Sequence, residues 1–342
     1  MTEWQGIWIV AEQWWGELKR VSFELLGRAR RLADKLGTPL GGVLLGYHIE
    51  KEAQELIYHG ADKVYVVDHP ALAQFDSDVY TNCLERLIRE KRPAIVIAAA
   101  TTTGRTLMPM VAARLRTGLT ADCTELDIEE ETGLLLQTRP AIGGNVMATI
   151  KTPNHRPQMA TVRPRSHPPA PRDPSRVGEV IRVNLPEDTF KSRFQFLGFE
   201  KLNEETVKIE DADIVVCAGR GLGKPDNIRW VKELAKLLGG AVGASRPVVE
   251  QGWLPYPCQV GLSGKTVSPK LYIACGISGA IQHLAGMRDS RFILAINKDP
   301  RAQIFKVADL GIIGDVNEIL PRLVRRLQEI KGNFGGSWSS IK

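Results

Sequence analysis

Within these 342 residues, two glycine-rich stretches and a series of polar clusters that follow apolar runs are the places able to do chemistry. Gly219-Arg220-Gly221-Leu222-Gly223 follows an apolar run and invites a dinucleotide reading. The G-x-G-x-x-G pattern needs its third glycine at 224, where Lys224 stands, and Pro225 follows where a helix should open. Gly261-Leu262-Ser263-Gly264-Lys265-Thr266 ends like a phosphate loop. The leading glycine of that motif falls on Gln259, and Pro269 with a strand follows in place of a helix. Both strict motifs fail.

A positional argument survives them. In an open α/β sheet, ligands bind beyond the carboxyl ends of the strands. Here those ends are expected to carry Gly219-Arg220-Gly221, Ser245-Arg246, Ser278-Gly279, Asn297-Lys298-Asp299 and Asp309, which would line one crevice. Ser278-Gly279 is read as opening a helix whose free N–H groups can hold a phosphate, with Arg220 and Arg246 adding charge. A large anionic nucleotide is implied. Taken singly, each residue has a plainer reading: a glycine after a strand is a turn, Ser278 a helix cap, Asp309 a surface residue, His283 a core or surface histidine. Their coincidence on one sheet edge favours the functional reading.

The elements that must position these residues can be read from periodicity. Ile7 to Ala11, Gly42 to Leu45, Val64 to Val67 and Ala94 to Ala100 read as strands. Between them Leu18, Val21, Leu25, Ala29, Leu32 and Leu36 recur every three or four residues on one helix face closed by Gly37, and Lys51 to Tyr58 and Val79 to Lys91 are also helical. That is a parallel, doubly wound α/β pattern. After Ala121, Thr-, Gly- and Pro-punctuated runs at Leu134 to Thr138, Val146 to Ile150 and Gln158 to Arg163 are expected to add antiparallel strands. A second alternation runs through strand Ile214 to Ala218, helix Asn227 to Leu238, a strand near Ala241, strand Leu271 to Cys275, helix Ser278 to Ala285, strands Phe292 to Ile296 and Ile312 to Ile313, and helix Val316 to Ile330. The domains are therefore expected at 1–195 and 196–330, with 331–342 a disordered Gly- and Ser-rich tail.

Composition excludes other classes. A hydrophobic content of 43% with 25% charged residues is that of an ordinary globular protein, and the length suits two domains. Forty-five Lys and Arg exceed 39 Asp and Glu by six, but Lys151 to Arg182 holds seven basic and two acidic residues and so accounts for five of that excess. The stretch also has seven prolines and no Phe, Tyr or Trp, so it reads as a solvated connector and not as a nucleic-acid surface. Cys83, Cys123, Cys217, Cys258 and Cys275 are never closer than 17 residues, which excludes C-x-x-C metal, cluster and dithiol sites and suits a reducing compartment. No secretory signal and no apolar run of roughly 20 residues is seen, so a cytoplasmic protein without a membrane span is expected.

The run from Val260 to Met287, including Gly276-Ile277-Ser278-Gly279-Ala280-Ile281-Gln282-His283, followed by Ala295-Ile296-Asn297-Lys298-Asp299-Pro300, resembles the signature of the electron-transfer flavoprotein alpha subunit. The likeness extends through Gly104-Arg105, Thr120 to Thr124 and Arg163-Pro164. It implies an N-terminal doubly wound α/β domain with added strands that docks partners, and a C-terminal parallel-sheet domain that binds FAD. Position by position, Arg220, Ser245, Ser278, Gly279, Ala280 and Gln282 would hold the pyrophosphate and ribityl chain, and Asn297 with Asp309 the adenosine. Arg246 would lie over the isoalloxazine ring, Ser263 would face flavin N5, and His283 would approach the C2 carbonyl. Val260, Gly261, Leu262, Ile281 and Leu310 complete the implied cofactor set; no residue is expected to be catalytic or to bind a metal.

The partners implied are a beta subunit and a flavin dehydrogenase such as an acyl-CoA dehydrogenase, for an electron carrier that is not by itself an enzyme. Ferredoxin joins them if the complex splits NADH electrons between ferredoxin and a dehydrogenase. A non-redox nucleotide-binding module is the reading from another class. The family usually has Gln-Thr where Leu262-Ser263 stand, so a hydroxyl is kept and an amide lost. Trp14 and Trp15 are unexpected for the family and read as local core packing or, less favoured, as a contact with another subunit.

Overall fold

The computed structural model describes residues 4–141, 146–198 and 209–333. The chain divides into two compact units, Met1–Glu200 and Lys201–Lys342, five residues beyond the boundary expected.

In the first unit β1 (Ile7–Val10) leads to a small hairpin, β2 (Gln13–Trp14) and β3 (Glu17–Leu18). Then follow α1 (Arg20–Leu36), β4 (Leu40–Gly46), α2 (Ala53–Tyr58), β5 (Lys63–Asp68), α3 (Ser77–Lys91), β6 (Ile95–Ala99), α4 (Thr102–Leu115) and β7 (Leu119–Cys123). Leu18 thus belongs to the hairpin and not to the helix face. Gly37 takes the left-handed conformation that stops α1, with φ 60°. Leu25, Leu26, Ala29, Leu32 and Ala33 of α1 are buried with Ile7 and Ile9, while α3 and α4 share a core with Trp8 and Val10. The sheet is therefore covered on both faces, which is why its strands read as continuous apolar runs.

Beyond β7 the chain leaves the sheet for a three-stranded antiparallel layer of β8 (Glu125–Ile128), β9 (Leu135–Pro140) and β10 (Met147–Ile150). It returns as β11 (Gln158–Val162) and ends at the edge as β12 (Glu179–Arg182), giving the order β12-β5-β4-β1-β6-β11-β7. Here the structure corrects two expectations. β11 is not antiparallel: it is parallel to both β6 and β7 and wholly buried. Its polar residues disguised it, because Gln158 accepts the Leu135 N–H at 2.9 Å and Thr161 Oγ1 accepts the Asp122 N–H at 3.0 Å. Nor is the basic stretch a solvated connector, since it contains β11 and β12. Arg163 pairs with Asp122 at 2.6 Å, Arg172 with Glu55 at 2.8 Å and Arg176 with Asp62 at 3.0 Å, and Arg182 pairs with Glu50. The excess charge is spent on the first unit's own acids.

The second unit is simpler. β13 (Ile214–Ala218), α5 (Ile228–Leu238), β14 (Ala241–Ala244), α6 (Arg246–Glu250), β15 (Leu271–Cys275), α7 (Ile281–Leu284), β16 (Ile293–Asn297), β17 (Leu310–Ile313) and α8 (Val316–Asn333) follow in order. The five strands are all parallel in the order β14-β13-β15-β16-β17. Val231 and Leu234 of α5 pack with Leu320 and Val324 of α8 over Val216 and Ile273 on one face. On the other face Tyr272 and Ala274 lie with Ile277, Met287 and Ile304. The expected helix from Ser278 to Ala285 is reduced to the four residues of α7, with Ala280 at its N-cap, so Ser278-Gly279 form a loop and open no helix. Helix α8 reaches Asn333; of the expected tail, 334–342 lie outside the described residues.

Candidate functional site

The five parallel strands of the second unit end at one cleft of about 660 Å³, within the range of roughly 300–1,000 Å³ usual for cofactor sites. Twelve of the sixteen residues expected in the site line it: Arg220, Ser245, Arg246, Val260, Gly261, Leu262, Ser263, Ser278, Ala280, Gln282, His283 and Asn297.

Close contact between loops shapes its floor. After β13 the chain turns through Gly219-Arg220-Gly221, and after β15 through Gly276. Gly219 N donates to the Cys275 carbonyl at 2.8 Å and Gly221 N to the Gly276 carbonyl at 3.0 Å. A Cβ on Gly219 would lie 2.2 Å from the Gly276 oxygen. These glycines therefore let two neighbouring loops touch, a reason unrelated to the dinucleotide motif they imitate. Ser245 follows β14 and donates its N–H to the Ala218 carbonyl at 2.9 Å. Its hydroxyl is buried and has no partner. Arg246 opens α6 and pairs through Nε with Glu250, one turn on, at 2.7 Å.

The loop from Gly261 is fastened to the segment carrying His283. Leu262 N donates to the Gln282 carbonyl at 2.7 Å. Ser263 Oγ accepts from Gln259 Nε2 at 3.1 Å, and its carbonyl accepts the Tyr256 hydroxyl at 2.8 Å. His283 is 7% exposed, and its Nε2 is 2.9 Å from the Tyr272 hydroxyl. Burial lowers its pKa to about 4, offset a little by the Val260 backbone. That approach falls short of a hydrogen bond, and Nδ1 has no partner.

Four expected residues do not line the cleft. Gly279 is buried behind the lining, Ile281 is exposed outside it, and Leu310 sits on the edge strand β17. Asp309 is the clearest correction. It precedes β17, at the amino end of the sheet, where its carboxylate accepts the Ile293 N–H at 2.7 Å, a strand's length of roughly 13 Å from the ligand edge. Asp315, which follows β17, lines the cleft in its stead beside Asn297 and Lys298. The carboxyl-end rule applied to the strand expected at Ile312–Ile313 already points to it, since Asp309 precedes that strand and Asp315 follows it. Pro247, Ile277 and Val316 were also missed; they are apolar lining with no chemical signal of their own.

The residues fit a large anionic cofactor. Arg220, Arg246 and Lys298 supply positive charge, and Ser245 and His283 bring buried polar atoms that have no partner among the described residues. Fold and cleft together are those of an α/β protein suited to a nucleotide cofactor at the carboxyl edge of a parallel sheet. The comparisons with known proteins make this specific. Residues 7–188 match the electron transfer flavoprotein domain and residues 208–288 the electron transfer flavoprotein FAD-binding domain.

The chain is 52% identical to the electron transfer flavoprotein subunit alpha of Thermoanaerobacterium thermosaccharolyticum, over 97% of this chain and all of the relative. It is 49% identical to the corresponding subunit of Megasphaera elsdenii, over 97% and 99%. To the lactate dehydrogenase (NAD(+),ferredoxin) subunit LctC of Acetobacterium woodii it is 42% identical, over 96% of this chain and 78% of the relative. The chain belongs to the electron transfer flavoprotein alpha subunit family. It binds FAD, and as an alpha subunit it pairs with a beta subunit and with redox partners. Among the described residues no helix is long and apolar enough to cross a membrane.

Proposed function

We propose that this chain is the FAD-bearing half of a cytoplasmic carrier that exchanges electrons with a flavin dehydrogenase such as an acyl-CoA dehydrogenase, its first unit docking the partners. The observation that carries this reading is the cleft itself, where cations and two buried, unsatisfied polar atoms meet at one sheet edge. Arg220, Ser245, Ser278, Ala280 and Gln282 are assigned to the pyrophosphate and ribityl chain. Asn297 is assigned to the adenosine, with Asp315 supplying a carboxylate suited to the ribose hydroxyls. Ser263 and His283 are assigned to the ring. The five cysteines, all free and buried, suit a reducing compartment.

A second reading is favoured by the name of the Acetobacterium relative, which pairs NAD(+) with ferredoxin. In it, two electrons leave NADH and are divided, one toward ferredoxin and one toward a dehydrogenase. Anaerobic NADH titration of the heterodimer, with flavins counted, separates the readings. One FAD and no reaction with NADH is expected of the simple carrier; two FAD and ferredoxin-dependent NADH oxidation would replace it with the second. A colourless complex that takes up no FAD would overturn both.

The Arg246–Glu250 pair gives a graded prediction. A lone cation about 4 Å from charge on the reduced ring stabilises it by up to ~4 kcal/mol at an effective dielectric of 20. Arg246 is solvent-exposed and paired with Glu250, so only a fraction of that survives. Arg246→Ala is expected to lower the one-electron potential by tens of millivolts, at ~59 mV per 1.4 kcal/mol. Glu250→Gln should raise it by less, and the double variant should lie between the two. Redox titration checks this, and identical potentials in all four proteins would remove Arg246 from the ring's surroundings.

A further inference from the structure

We propose that Tyr272 is a positioning residue that fixes the ring proton of His283 on Nδ1, making the histidine a neutral donor toward the cleft. The inference rests on the reading of that cleft as the flavin site and adds to it a residue that does not itself line the cleft.

Tyr272 stands in β15, on the sheet face opposite α5 and α8, and is fully buried. Its hydroxyl is 2.9 Å from His283 Nε2, with the ring centroids 6.3 Å apart and the planes inclined at 59°. On the neighbouring strand the Cys217 thiol is its other polar neighbour. The hydroxyl has one proton to give, and it can go to an imidazole nitrogen or to a thiol sulfur. Sulfur is the weaker acceptor.

The arrangement that satisfies the most groups sends the phenol proton to Nε2 and lets the thiol donate to the phenol oxygen. Nε2 is then an acceptor, and the proton of the neutral imidazole must sit on Nδ1. The reverse arrangement would spend the phenol proton on sulfur and leave a bare lone pair at Nδ1. Burial keeps the participants in the protonation states this requires: it raises the Cys217 thiol to about 12, holds the Tyr272 hydroxyl well above its ordinary range, and lowers His283 to about 4.

Nδ1 is the ring atom with no hydrogen bond in the chain, and its residue lines the cleft. An N–H there needs an acceptor; the Val260 backbone approaches the imidazole without completing a hydrogen bond, and a carbonyl oxygen of the isoalloxazine ring is of the chemistry required. Because Nε2 is bonded to a side chain locked in the sheet, the imidazole cannot turn without breaking the Tyr272 bond. The direction of the donor is thus set by a residue eleven positions away.

The test is nitrogen-15 NMR of histidine in the complex with the beta subunit, recorded with FAD and after its removal. His283 is assigned among the six histidines by its loss in His283→Asn. The wild-type complex should show the Nδ1–H pattern in both states. Tyr272→Phe, which keeps the ring and removes the hydroxyl, should lose it in the FAD-free complex, giving a mixture or the Nε2–H form, and should shift the flavin potential in the loaded one. An Nε2–H pattern in the wild-type complex, or an unchanged Nδ1–H pattern in Tyr272→Phe, overturns the assignment. The wild-type spectrum decides by itself if the variant does not fold. Failure to bind FAD would overturn the flavin reading alone, since the tautomer is read without it.

Discussion

Gly279→Ala is expected to destabilise the second unit by about 3 kcal/mol or more and to empty it of FAD, although Gly279 does not line the cleft. Its φ is +83°, a region where a side chain costs roughly 1–2 kcal/mol. Space is the larger obstacle. A Cβ at this position would stand 2.2 Å from the nitrogen and 2.6 Å from the Cα of Ile304, which is backbone and cannot swing away. Ile304 is itself fully buried and donates its N–H to the Ser278 carbonyl at 3.1 Å. Relief of the clash therefore means pushing apart the loop that carries Ser278 and Ala280 and the turn Gln303–Lys306.

Gly223→Ala is the control. Its φ is +79°, but nothing lies within 4 Å of a Cβ built there, so it should cost only the conformational part. Urea unfolding and FAD content of the two variants give the comparison, and equal losses would show that close approach contributes nothing.

What could be read from the residues follows from how each element buries itself. Ile214–Ala218 and Leu271–Cys275 are found where the sequence places them, because central parallel strands are apolar on both faces and end abruptly in polar or glycine residues. The strand at Gln158–Val162 was legible but its parallel, buried setting was not, because Gln158 and Thr161 find partners only in the folded state and their polarity mimicked exposure. The difference between Asp309 and Asp315 was within reach: the strand expected at Ile312–Ile313 ends where β17 ends, with Asp309 before it and Asp315 beyond it. Only the start of β17 was illegible, because an edge strand without a buried pattern has no clear beginning. Ser278 was misread as a helix opening because the turn through Gly276 and Gly279, both with positive φ, delays the helix to Ile281. Contacts across strands, such as Gly219 on Gly276 or Tyr272 on His283, depend on sheet order, and no local pattern encodes that order.

Acid is expected to act in opposite directions on His283 of the second unit and on Glu12 and Glu24 of the first, where Asp78 and His167 oppose the two glutamates. His283 ionises near pH 6.5 when free and near pH 4 when folded, so between these values the unfolded chain binds the extra proton. The stability it contributes is fully present above pH 6.5 and is lost as the pH falls toward 4. With about 1.4 kcal/mol per unit, the loss amounts to about 3 kcal/mol, most of it by pH 4.5. Glu12 and Glu24 in the first unit behave in the reverse sense. Burial raises both carboxyls above their ordinary range, so the folded state holds their protons more tightly and acidification relieves a cost. Hydrogen exchange of the FAD-free chain at pH 7 and pH 4.5 should therefore show strands Ile214–Ala218 and Leu271–Cys275 losing protection. In His283→Asn, which cannot take the proton, the second unit's added sensitivity should disappear. A variant as acid-labile as the parent would mean that another group carries the linkage, and that His283 is not held neutral by its burial.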